Sequence, residues 1–161
     1  MTTSTSCVLS LRHTLATLAY RAAKALRDAP AGFSDFRAAD GSRSAGEILA
    51  HMGDLFDWAL SQATGKETWH NSKPQSWADD SARLFAAVKA FDDYLASGAA
   101  LHRPPEQMFQ GAIADALTHV GQIAMLRRLA GAQIRGENYS VAKIETGRVD
   151  ASQPPAVYEF G

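Results

Sequence analysis

A single cysteine, Cys7, is all the thiol chemistry in this chain of 161 residues. One thiol cannot close an internal disulfide or build a Cys-rich metal cage, so any metal needs His and carboxylate ligands, and the composition fits a reducing, cytoplasmic compartment. Charge of one sign is equally scarce: 16 Lys and Arg stand against 17 Asp and Glu, a formal net charge of −1. Without a broad positive field the chain has no electrostatic hold on a phosphate backbone, and nucleic acid is not an expected partner. Long apolar runs are missing too. No stretch reaches the roughly 18 to 20 uninterrupted apolar residues that span a bilayer, so no membrane association is expected. The first 27 residues lack Asp and Glu and carry Arg12, Arg21, Lys24 and Arg27, as an organelle presequence would. Against that, Leu11, Leu15, Leu18, Ala22 and Leu26 recur at helical spacing and mark a helix that packs. Internal repeats, low-complexity tracts and alternating strand patterns are absent as well.

What is there is an ordinary globular composition, 46% hydrophobic and 20% charged, on a length that suggests one domain over 1–161. Four amphipathic segments predict an all-α fold, a four-helix bundle over about 6–131 followed by a C-terminal segment, 132–161. The first helix covers 6–28 and ends at "DAPAG", where Pro30 and Gly32 cannot continue it. "SAGE" at 44–47 has the capping-box spacing and opens a second helix that runs to about residue 64, before Gly65. "SWADD" repeats that logic with Ser76 and Asp79, and a third helix reaches residue 97 with Leu84, Val88, Phe91 and Leu95 along its apolar stripe. After Gly98 and "RPPE", a fourth helix spans roughly 109–130, closed by Gly131. "NYSVAKIE" predicts a short extra helix in the tail. Such a pattern suits an antiparallel-type bundle, with long connections that leave the topology open.

The chemistry lies in polar residues on apolar faces. At about 100° per residue, His51 aligns with Glu47, Ile48, Leu55 and Trp58 on the inward side of the second helix. On the fourth, Asp115 and His119 align with Ala112, Ala116, Ile123 and Leu126, so this acid is expected to be buried and to need a cation. Two readings follow. In one, Asp115 and His119 form a buried ion pair and His51 is a core histidine. In the other, His51, Asp115 and His119 hold one divalent transition metal, with coordination positions left for water or substrate. Gln122, three residues after His119, could orient a ligand or cap a polar pocket. Glu47 is expected to serve the capping box, Arg127 and Arg128 the helix dipole, and His13, His70 and His102 to be surface histidines. Trp58, Trp69 and Trp77 could wall a pocket, though core packing is their commoner use.

"EILAHMGDLFDW" in the second helix and "DALTHVGQIAMLRRLAG" in the fourth, with "GENY" behind it, resemble the DinB/YfiT-like proteins over about residues 8–145. His-Val-Gly-Gln at 119–122 looks like that family's His-x-Gly-Gln, and His51 is similar to its inward histidine. The resemblance implies a metal-dependent four-helix-bundle enzyme. Family members commonly use three histidines, the last two spaced by four. Here Asp115 stands in the first of those two places. That departure makes the site one charge more negative and should weaken the Lewis acidity of a bound ion. The resemblance further implies a hydrolase, or a transferase or isomerase using a low-molecular-weight thiol such as bacillithiol or mycothiol, acting on a small-molecule substrate, and a homodimer. Zinc, nickel, iron and manganese all suit the ligand set. A non-catalytic helical module that binds metal or a small ligand is the alternative.

Overall fold

The computed structural model describes residues 3–161 and, from residue 6 onward, their side chains. Helix α1 (Thr3–Leu26) stops two residues earlier than its apolar pattern suggests because Asp28 turns the chain through a left-handed backbone, φ 55°. A 3-10 turn (Phe33–Asp35) follows. The capping box then forms as the sequence predicts. Ser44 Oγ accepts the Glu47 amide at 3.1 Å, and Glu47 accepts the Ser44 amide at 2.7 Å. These bonds satisfy two amides that the first turn of α2 (Ala45–Ala63) would otherwise leave open. Ser76 caps α3 (Trp77–Ala96) through the Asp79 amide.

The fourth helix begins earlier than expected. "RPPE" is its start, since proline is well suited to the first helical turn, where its missing N–H is no loss. Helix α4 (Pro105–Met108) passes through a π-helical segment (Phe109–Ile113) into α5 (Ala114–Leu129) without a break.

These helices pack as a ring in the order α1, α3, α2, α5, so that α1 lies diagonally opposite α2 and α3 opposite α5. The connections 27–44 and 97–104 therefore cross the bundle. Leu15 and Leu18 of α1, Leu49, Met52 and Phe56 of α2, Leu84, Val88 and Phe91 of α3, and Ile123 of α5 are fully buried at the centre. Each contributes about 1.5–3 kcal/mol relative to exposure. Among the described residues there is no strand, only an isolated bridge between Glu137 and Glu159. No helix there is long and apolar enough to cross a membrane.

The tail corrects two expectations. In place of a helix over 138–145 there is one 3-10 turn, Tyr139–Val141, and the chain on either side of that turn is tied to α1 by side chains at Glu137 and Glu159. Lys24 binds Glu137 at 2.8 Å and Glu159 at 2.6 Å, and Tyr20 donates to Glu137 at 2.6 Å. Burial works to lower the Lys24 pKa, but its bonds to the two carboxylates outweigh it and hold the ammonium above the ordinary lysine value. Arg127 is buried, not a solvated end charge. Its guanidinium donates to the carbonyls of Ala25, Arg27, Asp28 and Ala132, and so fastens the end of α1 to the end of α5.

Candidate metal centre

Helices α2 and α5 are neighbours in the ring, and their facing sides bring together the three residues the sequence singles out. His51 comes from α2. Asp115 and His119, four residues apart, share one side of α5. His51 Nε2 lies 3.5 Å from Asp115 Oδ2, and His119 Nε2 lies 3.4 Å from Asp115 Oδ1. The two imidazoles meet edge to face with ring centres 5.0 Å apart. One donor atom from each residue falls within 4.8 Å of the others, a group able to hold a metal ion.

Those spacings bear on both readings. A charge-assisted N–H···O⁻ bond closes to about 2.7–2.9 Å, and neither carboxylate–imidazole approach does so. Nitrogen and oxygen ligands about 2.0–2.1 Å from a tetrahedral ion lie about 3.3–3.4 Å from each other, and each imidazole approaches a carboxylate oxygen at about that distance, His51 to Oδ2 and His119 to Oδ1.

One expectation is corrected. The Asp115 side chain is 47% exposed. Ile123 marks the middle of the buried arc of α5, and Asp115 lies about 80° round the helix from it, on the flank. The acid therefore keeps much of its hydration and needs no buried cation. His119 is buried and His51 is half-buried, so the site is an open rim over an enclosed floor.

The two histidines are prepared differently. His119 Nδ1 lies 2.7 Å from Gln122 Oε1. An amide oxygen only accepts, so Nδ1 carries the proton and, in the neutral ring, the lone pair sits on Nε2, which faces Asp115. Gln122 thus fixes the tautomer that ligation requires. The His51 pKa is pushed below the ordinary histidine value, first by burial and then by the charges of His119 and Arg43, against the opposing pull of Asp115. Its imidazole is therefore neutral at neutral pH, as a ligand must be.

A second group, Asp54, Asp57 and His70, is also close enough to surround an ion. There the protein supplies the cation. Arg83 Nη1 lies 3.0 Å from Asp54 and 3.3 Å from Asp57, and the guanidinium also donates to the Ala50 carbonyl. His70, an exposed loop residue as expected, reaches both carboxylates, at 3.1 and 3.2 Å. Ser72 donates its amide and hydroxyl to Asp54 at 2.8 and 2.7 Å. Gly53 makes room for this: a Cβ there would lie 2.6 Å from the Arg83 guanidinium carbon. The result is a clasp that holds the α2–α3 loop and sets Trp69 edge-on against His51 and Trp58, at centroid distances of 5.6 and 5.9 Å. Trp69 thus packs against His51 with Trp58 behind it, whereas Trp77 packs on Phe33 and donates to the Leu26 carbonyl. Sequence reasoning passed over Asp54, Asp57 and Arg83. The signal was an acid three residues beyond His51 inside an otherwise apolar run.

Two cavities flank the triad. A polar one of about 380 Å³ is lined by Glu47, His51, Asp54 and Ser72. An apolar one of about 490 Å³ is lined by Ile48, His119, Met125, Leu126 and Leu129. Ser42 and Arg43 border both. A larger cleft of about 690 Å³ between Leu9, Leu95, Leu101 and Pro105 includes none of the three triad residues. His102 lines that cleft, and His13 faces Thr146; neither belongs to the triad.

The fold and the donor set define an all-helical four-helix protein with a His-Asp-His cluster that could hold a metal ion. Comparison of the chain with protein families, with curated proteins and with solved structures gives no match.

Proposed function

We propose that this chain is a metal-dependent enzyme of the DinB/YfiT-like kind, a hydrolase or a low-molecular-weight-thiol transferase acting on a small-molecule substrate. His51, Asp115 and His119 hold its divalent transition metal, which is zinc, nickel, iron or manganese. The observation that carries the reading is the convergence of the donor atoms: each imidazole Nε2 lies 3.4 or 3.5 Å from an Asp115 oxygen, longer than a tight charge-assisted hydrogen bond, and one donor atom of each residue lies within 4.8 Å of the others. Two further features support it. Gln122 directs the His119 lone pair at the ion position, and the lowered His51 pKa leaves that ring unprotonated. With a divalent ion held by these three residues, the site would gain Lewis acidity that could make a water or thiol nucleophilic near neutral pH. The chain's own contributions are an anionic ligand that moderates this acidity, an apolar cavity beside His119, and Trp69 packed edge-on against His51.

The reading is tested on chelator-stripped protein reloaded with each of the four ions in turn. Each form is assayed for hydrolysis of an activated ester and for conjugation of a low-molecular-weight thiol to an electrophile. Turnover should appear only with metal and fall at least about 100-fold in His51→Ala and His119→Ala. Turnover that survives both chelation and these substitutions contradicts the proposal.

A further inference from the structure

Arg43 stands apart from the other arginines around the site. Arg37 is paired with Glu47, and Arg83 with Asp54 and Asp57. Among the described residues Arg43 forms no salt bridge and no hydrogen bond, yet it borders both cavities beside the triad. It shares the polar cavity with His51, so it stands beside the ligand set. Glu47, which lines the polar cavity with Arg43, is engaged by Arg37 and by the helix cap. On the other side of Arg43 the floor changes character. Met125 and Leu129 are 56% and 57% exposed and continue inward through Ile48 and Leu126, which are buried.

From this juxtaposition we infer that the site takes small amphipathic anions, with an anionic head on Arg43 beside the triad and an apolar body along Ile48, Met125, Leu126 and Leu129. A free guanidinium presents a planar fork of donors that matches a carboxylate or phosphate better than a lysine would. The apolar cavity, about 490 Å³, has the size of a small-ligand pocket and only a few exposed apolar residues around it. A protein partner needs about 800 Å² on each side for a stable interface, which Met125 and Leu129 do not provide. The inference gives a substrate class to the proposed metal enzyme and rests on that reading for its chemistry, but the binding step depends on Arg43 and the apolar floor alone.

The test measures calorimetric binding of octanoate, hexanoate and octanol to metal-free and zinc-loaded protein, with zinc content determined on the same samples. Octanoate should bind at least about tenfold tighter than octanol, and Arg43→Gln should abolish that preference in both forms. Octanoate should also exceed hexanoate by about 15-fold, since each of the two extra buried CH₂ groups is worth about a factor of four, and Leu129→Ser should weaken octanoate and octanol alike. Equal binding of octanoate and octanol, or a preference that persists in Arg43→Gln, overturns the inference; zinc retained at wild-type level would then leave the metal reading standing. A preference seen in metal-free protein that takes up no zinc has the opposite meaning: the anion site holds and the metal reading fails. Self-association that covers Met125 and Leu129 and prevents octanoate binding also overturns it.

Discussion

Replacing Asp115 by Asn separates a ligand from a structural ion pair, because the two roles predict opposite results with and without metal. Without metal, the half-exposed carboxylate gives up little: exposed pairs are worth about 0–1 kcal/mol, and the imidazoles stand 3.5 and 3.4 Å from it. At roughly 2–4 °C per kcal/mol for a chain of this size, the metal-free variant should melt within about 4 °C of wild type. Zinc changes the comparison. At 1,000 times its dissociation constant an ion binding only the folded state adds about 4.1 kcal/mol, which raises the wild-type midpoint by about 8–16 °C. Loss of one of three ligands should weaken zinc at least about 100-fold, as even second-layer substitutions can. The same zinc concentration is then only about ten times the variant's dissociation constant, worth about 1.4 kcal/mol, or about 3–6 °C. Differential scanning calorimetry with zinc and with EDTA reads both numbers. An equal zinc-induced rise in the two proteins would refute ligation by Asp115, and a metal-free loss above about 2 kcal/mol would mark a structural pair instead.

Three other outcomes follow from the same contacts. Asp54→Ala leaves the Arg83 charge without its buried partner and frees the Ser72 amide, so it should cost about 3–5 kcal/mol and speed hydrogen exchange at Ser72; unchanged exchange would argue against the clasp. Arg127→Met should lower stability by about 3 kcal/mol, seen as a reduced urea midpoint with an unchanged slope, because four carbonyls lose a charged donor. The Glu159 pKa is lowered, first by its bond to Lys24, so its contribution is fully present above its ordinary value of 4.5 and is lost as pH falls through the depressed folded value. Thermal midpoints of wild type should therefore fall more steeply with acidification below pH 4.5 than those of Glu159→Gln, and parallel curves would contradict the assignment.

Sequence legibility followed the range of the interactions involved. The four helices and the Ser44–Glu47 and Ser76–Asp79 caps depend on neighbours within a few residues, and they were readable from periodicity and spacing. The convergence of His51 with Asp115 and His119 was also readable, because each lies on the side of its helix that carries the apolar stripe. How far in each residue sits was not. Asp115 is on the flank of the buried arc of α5, and a wheel shows which side a residue faces but not where the neighbouring helix ends its cover. The clasp of Asp54, Asp57, His70 and Arg83 joins α2, α3 and their connecting loop, and no local pattern joins Asp54 to Arg83 across 29 positions. Arg127 was misplaced for a related reason: a basic residue in a last helical turn usually serves the dipole, and only the approach of α1 converts it into a buried donor.

The central claim is that the triad holds an ion, and the most direct test is metal content by mass spectrometry on untagged protein purified without chelators and then reloaded with zinc, nickel, iron or manganese. The account predicts about one divalent ion per folded chain, lost in His51→Ala and in His119→Ala while both variants remain helical. Folded wild-type protein that retains none of the four ions after reloading would contradict it.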